Sequence, residues 1–167
     1  MARSVRDKVP FRRRREGKTD YRKRLKLLKS HKVRVVVRKS LKHTIVQMVK
    51  YEEKGDRVVS SATTAQLKEL GWSAATGNTP AAYLVGLLAG RRAAKANIKE
   101  AVLDIGLIRP SRGSRPFASL KGVIDAGVEV PHSDEVLPSD ERIRGAHLKT
   151  PDLAKMFEDV KQKIMKS

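Results

Sequence analysis

The sequence predicts an α+β (α/β) fold, a β-β-β-α-β-α core with a mixed sheet flanked by helices, preceded by a basic N-terminal arm and followed by a C-terminal extension that ends in a helix. Three observations carry that expectation. Between Val33 and Ser61 apolar and polar residues alternate in three short β-rich runs. After Thr63 the apolar period lengthens to that of helices with recognisable start and stop residues. Charge, finally, is polarised: the first 50 residues hold nineteen Lys and Arg against three acids, a net of +16 out of +19, leaving +3 to the other 117 residues.

The elements follow in order. Residues 1–18 place Arg at nearly every second position, interrupted by Pro10 and Gly17, with almost nothing apolar to bury, and read as an arm that is disordered alone and ordered on a partner. Thr19 or Asp20 caps a first helix whose Tyr21, Leu25 and Leu28 form a narrow apolar seam in a basic cylinder. The strand Val33 to Arg38 sets Val33, Val35 and Val37 on one face and Arg34, Val36 and Arg38 on the other. His43 to Val49 and Arg57 to Ser61, joined by a turn at Glu53 to Asp56, complete an antiparallel meander.

A short helix ending at Gly71 comes next. Asn78-Thr79-Pro80 then places a cap residue before proline at the first helical position of a helix that runs from Pro80 to about Ala96. Gly86 and Gly90 in it imply close approach to a sheet, because the apolar stretch is far short of a membrane span. Ala101 to Ile108 reads as a fourth strand, and Pro116 to Ala126, closed by Gly127, as the next helix. Residues 19–130 thus form the globular core. The extension, 131–167, is irregular and acidic up to Gly145. Its terminal helix starts at Thr150 and Pro151, and its stripe of Leu153, Met156, Phe157, Val160 and Ile164 needs a surface to cover, on this chain or on a neighbour.

Chemistry is narrowed mostly by what is missing. No cysteine is present, which excludes disulfides, thiol nucleophiles and cysteine-based zinc sites. His31, His43, His132 and His147 show no metal-ligand spacing, and no Gly-rich loop carries the Lys-Ser/Thr of a P-loop, so neither metal nor cofactor is expected. The strand order is that of ribonuclease-H-like nucleases, but the first strand lacks a carboxylate and Asp104 stands alone, which suits a structural acceptor or an ion-pair partner better than a two-metal site. Catalysis is not expected. With no apolar run of about 20 residues, neither is a membrane partner.

A basic arm, a basic helix and a strand face of one sign form a surface for phosphates. Helix-turn-helix, finger and zipper signatures are absent, and seven aromatic residues offer few stacking platforms, so RNA read by shape and backbone is favoured. The competing class is a basic protein that coats nucleic acid without specificity. The segment holding Arg109, Arg112 and Arg115 is either a mobile basic loop or a second RNA or protein contact.

Two blocks make the chain recognisable: Arg12 to Leu25, and Arg115 to Asp134 continuing to Asp140 to Gly145. They resemble the large-subunit ribosomal protein family numbered eighteen in bacteria and archaea and five in eukaryotes, and the length of the C-terminal segment resembles the archaeal type. The resemblance implies a non-catalytic, cytoplasmic constituent of the large subunit that binds 5S rRNA. With the other 5S-binding protein, it would attach that RNA to the large rRNA in the central protuberance, without forming a homo-oligomer. By position it implies RNA contacts from Arg12, Arg13, Arg14 and Arg15 in the arm and from Arg22, Lys23 and Arg24 in the first helix. On the hairpin it implies Arg34, Arg38, Lys39 and His43, with Ser61 and Thr63 matching a small polar stretch after the third strand; Lys18 of the arm and Lys42 of the basic strand face are expected to join them on charge.

Overall fold

The computed structural model describes residues 9–148 and 152–166; the first eight residues of the arm, and the Thr150 and Pro151 start of the last helix, lie outside it. A four-stranded mixed sheet in the order β3-β2-β1-β4 organises the chain. Strands β1 (Val33–Lys39), β2 (Thr44–Lys50) and β3 (Arg57–Thr63) are the antiparallel meander, while β4 (Ala101–Asp104) pairs parallel to β1. The β2–β3 register shifts between Met48 and Val49, a bulge that absorbs one extra residue of β3. Val35, Val37, Val46 and Met48 are fully buried on the inner face.

The fourth strand is shorter than the sequence implied. Asp104 accepts a bond from the Gly106 amide, and Gly106 takes a left-handed φ of 60°, so the chain turns out of the sheet before Ile108. Ahead of the sheet, α1 (Arg12–Arg15) is a single helical turn with no buried residue, where an arm without structure of its own was expected. Helix α2 (Tyr21–Leu28) is capped by Asp20, whose carboxylate accepts from the Arg22 and Lys23 amides. Its expected seam is corrected at Leu25, which is 59% exposed; Tyr21, Arg24, Leu27 and Leu28 are the half-buried positions. Arg24 takes the inward place because it reaches the carboxylate of Asp56, just ahead of β3.

The inner face is covered by α3 (Thr79–Lys95), reached through a 3₁₀ turn at Thr64–Lys68. Asn78 caps α3 by accepting from the Ala81 amide, with Pro80 in the first turn as its sequence requires. The close approach implied by Gly86 and Gly90 is real but has a different partner: both glycines face α4 (Arg115–Asp125), not the sheet. A Cβ on Gly86 would strike the Ser119 carbonyl, one on Gly90 the Ala126 methyl, and one on Gly122 the Tyr83 carbonyl. Three glycines therefore let two helix backbones touch, and the Ser119 hydroxyl donates across the crossing to Ala82 O at 2.8 Å.

The extension is more ordered than its composition suggested. It holds a 3₁₀ turn at Asp134–Val136 and a short helix α5 (Asp140–Arg144), ended by Gly145 at φ 84°. The last helix, α6 (Leu153–Lys166), settles its own docking: Leu153, Phe157, Val160 and Ile164 are buried on this chain. Phe157 packs on the Tyr83 ring at 5.6 Å, Lys163 donates to Leu70 O, and Arg91 donates to Met165 O. Burial first, and then the hydrogen bond to Asp125, push the Tyr83 hydroxyl pKa well up, keeping it a neutral donor.

Candidate nucleic-acid interface

Because α3 and α4 occupy the inner face, the outer face of the sheet is left to α1, α2 and the loop after β4. Together they enclose a cleft of about 880 Å³. Its floor is apolar, with Val36, Val49 and Val58. Arg13, Lys18 and Lys23 stand on its wall. Lys26 stands there as well; the sequence set it on the helix but not among the phosphate contacts, although its place three residues after Lys23 puts the two on one side.

Five charged side chains cross the floor in a chain. Arg38 meets Asp104 at 3.3 Å and Asp104 meets Arg34 at 3.0 Å; Arg34 meets Asp56 at 2.6 Å, and Asp56 takes both oxygens to Arg24 at 2.8 and 3.0 Å. Three guanidiniums against two carboxylates leave one net positive charge. Arg34, expected at the RNA-facing surface, is instead 2% exposed, with its two terminal nitrogens committed to Asp104 and Asp56. The alternation that put it on the outer face is correct; what covers that face could not be read from alternation. Desolvation raises the Asp56 pKa, but the hydrogen bonds and charges of Arg24 and Arg34 outweigh it, and the net shift is downward.

The network also positions Arg38. It donates to the Val37 and Asp104 carbonyls at 2.9 and 2.8 Å, which fixes a guanidinium whose side chain is still 46% exposed. Asp56 has no local sequence signal, because it was one residue of a turn. Asp104 is the ion-pair partner its isolation suggested.

The basic end of the structure has two further parts. The hairpin between β1 and β2 carries Lys39 and Lys42, both exposed, with His43 tucked against the Thr64 and Thr76 hydroxyls at 3.3 and 3.5 Å. The loop after β4 divides: Arg109 is exposed, Arg112 pairs with the exposed Glu135, and Arg115 turns inward to donate to Ser40 O and Gly77 O. Arg115 thus holds the hairpin against α4 instead of adding to a basic loop face. Arg15, Arg22, Lys39 and Lys42 make no hydrogen bond or ion pair from their side chains among the described residues. In the arm, Arg13 donates to Thr19, while Arg12 and Lys18 flank Glu16. Ser61 is exposed at the β3 edge with its carbonyl taken by Arg92, and the Thr63 amide donates to Gln66. Neither lies with the arginines of the cleft.

No group of three or more His, Cys, Asp or Glu among the described residues could hold a metal ion. The arrangement offers graded positive charge on the sheet and the helices packed against it.

The family model described as ribosomal large subunit proteins 60S L5 and 50S L18 matches residues 5–101 and 93–133. The chain belongs to this family. A curated relative, the large ribosomal subunit protein uL18 of Korarchaeum cryptofilum (strain OPF8), is 56% identical over 148 residues, covering 89% of this chain and 76% of that one. Membership makes the chain a structural, non-enzymatic constituent of the large ribosomal subunit in the cytoplasm, with rRNA and ribosomal proteins as partners, and the relative makes it archaeal in type.

Proposed function

We propose that this chain binds 5S rRNA and helps attach it to the large rRNA in the central protuberance, beside the other 5S-binding protein. The observation that carries the reading is the separation of roles on one side of the sheet. Arg24, Arg34 and Arg38 are tied to carboxylates that hold α2 and β4 in place, while Arg15, Arg22, Lys39 and Lys42 remain available to phosphates. The buried pairs hold the frame, the exposed and fixed Arg38 sets a register on RNA, and the unpaired cations supply counterion release. In this reading residues 1–18 act as the RNA-binding arm, 19–130 as the recognising core and 131–167 as an extension facing protein or solvent.

The arm and α2 neutralise phosphates crowded where RNA helices meet, Arg109 extends the contact past β4, and the cleft receives the backbone edge along Lys18, Lys23 and Lys26. The test is a salt titration of binding to 5S rRNA beside transfer RNA and duplex DNA of similar length. A preference for 5S rRNA that persists as salt rises is the expected result. Equal binding to all three, lost together at high salt, would mean that the chain acts as a generic polycation and would defeat the reading.

A further inference from the structure

The tip of the β1–β2 hairpin carries Leu41, which at 94% exposure is the most exposed of the large apolar side chains among the described residues. A single exposed leucine is ordinary on a protein surface. This one is unusual in how firmly it is held. The Ser40 amide donates to His43 O at 2.7 Å, and the His43 amide returns a bond to the Ser40 hydroxyl at 2.9 Å. The carbonyls on either side of Leu41 are both taken, Ser40 O by Arg115 at 3.1 Å and Lys42 O by Thr76 at 2.7 Å. Gly77 packs so closely on the Leu41 carbonyl that any Cβ there would collide with it. Two segments distant in sequence, Thr76 with Gly77 and Arg115, thus clamp four residues, and what they present is an apolar tip between Lys39 and Lys42.

We propose that Leu41 is a wedge that seats against the face of an unstacked RNA base while Lys39 and Lys42 hold the flanking phosphates. The occupant follows from charge: residues 21–51 contain no Asp or Glu, so every charged neighbour of the tip along the chain attracts a polyanion. The mechanism follows from rigidity. A pinned loop loses little conformational freedom on binding, so burying the leucine adds affinity without a large ordering cost. Apolar side chains inserted at irregular steps act in this way on nucleic acids, and RNA exposes such bases in loops and bulges. The inference rests on the RNA-binding reading above and adds to it a contact that phosphate chemistry does not supply.

The experiment compares the wild-type chain, Leu41→Ala and the double variant Lys39→Ala/Lys42→Ala on 5S rRNA and on transfer RNA. It reads affinity across a salt series and the 2′-hydroxyl acylation pattern of the RNA. Leu41→Ala should bind 5S rRNA roughly tenfold more weakly at every salt concentration with the salt slope unchanged. It should also erase a small cluster of wild-type-enhanced acylation that marks the unstacked base. The double lysine variant should instead reduce the slope by about 2. Both variants should melt at the wild-type temperature, since the three side chains are exposed. A wild type that prefers 5S rRNA beside a Leu41→Ala that matches it in affinity and acylation overturns the wedge alone. A wild type that does not discriminate between the two RNAs overturns the 5S reading and the wedge with it.

Discussion

Replacing Arg34 with methionine tests whether the buried charge chain holds α2 and β4 in place. Arg34 makes one bond to Asp104 and one to Asp56, the second at 2.6 Å, and Asp104 is only 9% exposed. Breaking a buried ion pair by removing one partner costs about 3–5 kcal/mol, because a carboxylate stays buried without its counter-charge. Here the loss is moderated. Asp104 keeps Arg38 and the Gly106 amide, and Asp56, which is part-exposed, keeps its two bonds to Arg24. The expected cost of Arg34→Met is therefore about 3 kcal/mol, the low end of that range. For a chain of this size it corresponds to a fall in Tm of about 6–12 °C. Urea unfolding at pH 7 reads the free energy and a thermal scan the Tm. Adding Asp104→Asn to Arg34→Met should recover part of the loss, since the buried carboxylate that has lost its closest counter-charge is then neutral. A single variant within about 0.5 kcal/mol of wild type, the scale of a neutral surface change, would refute the reasoning, as would a double variant no more stable than the single one.

Other outcomes follow from particular contacts. Gly86→Ala should destabilise by about 1–3 kcal/mol or more, because its methyl meets the Ser119 carbonyl on a helix that cannot retreat without opening the core; chemical denaturation measures it. Arg112→Ala removes a pair in which both side chains are at least 70% exposed, and should leave Tm within about 1–2 °C of wild type. The Asp56 pKa is depressed in the fold, so its contribution is fully present above the ordinary value of 3.8 and is lost as pH falls through the lower folded value. Asp56→Asn should accordingly flatten the stability-versus-pH curve below about pH 4 and leave its shape near neutrality unchanged. Deleting residues 1–18 should keep the melt of the body, since Arg12–Arg15 bury nothing, while weakening RNA binding and lowering the salt slope; a binding series with the intact chain beside it decides.

Much of the fold was legible because its signals are local. Asp20, one of two candidates with Thr19, caps the first helix, and Asn78, in the expected Asn78-Thr79-Pro80 start, caps α3, since capping needs only a side chain two or three residues from an amide. The alternation from Val33 to Arg38 assigned inner and outer faces correctly, since a strand has a period of two. The cations were legible as a basic region and their individual pairing was not. Arg34 and Lys39 look alike in a basic strand, yet one is buried between carboxylates and the other makes no side-chain bond among the described residues.

What the sequence determined by itself was the basic front, the order of strands and helices, and family membership, because composition, periodicity and long motifs survive without coordinates. The tertiary structure decided which cations are neutralised. Asp56 lies 22 and 32 residues from Arg34 and Arg24, and Asp104 lies 70 from Arg34, separations at which no local pattern announces a pair. It also decided that Gly86 and Gly90 meet a helix, that α6 covers its own chain, and that Leu41 stands clamped at a tip. Each of these depends on surfaces brought together by the burial of apolar side chains, and the free energy of that burial scales with area and carries no record of sequence distance.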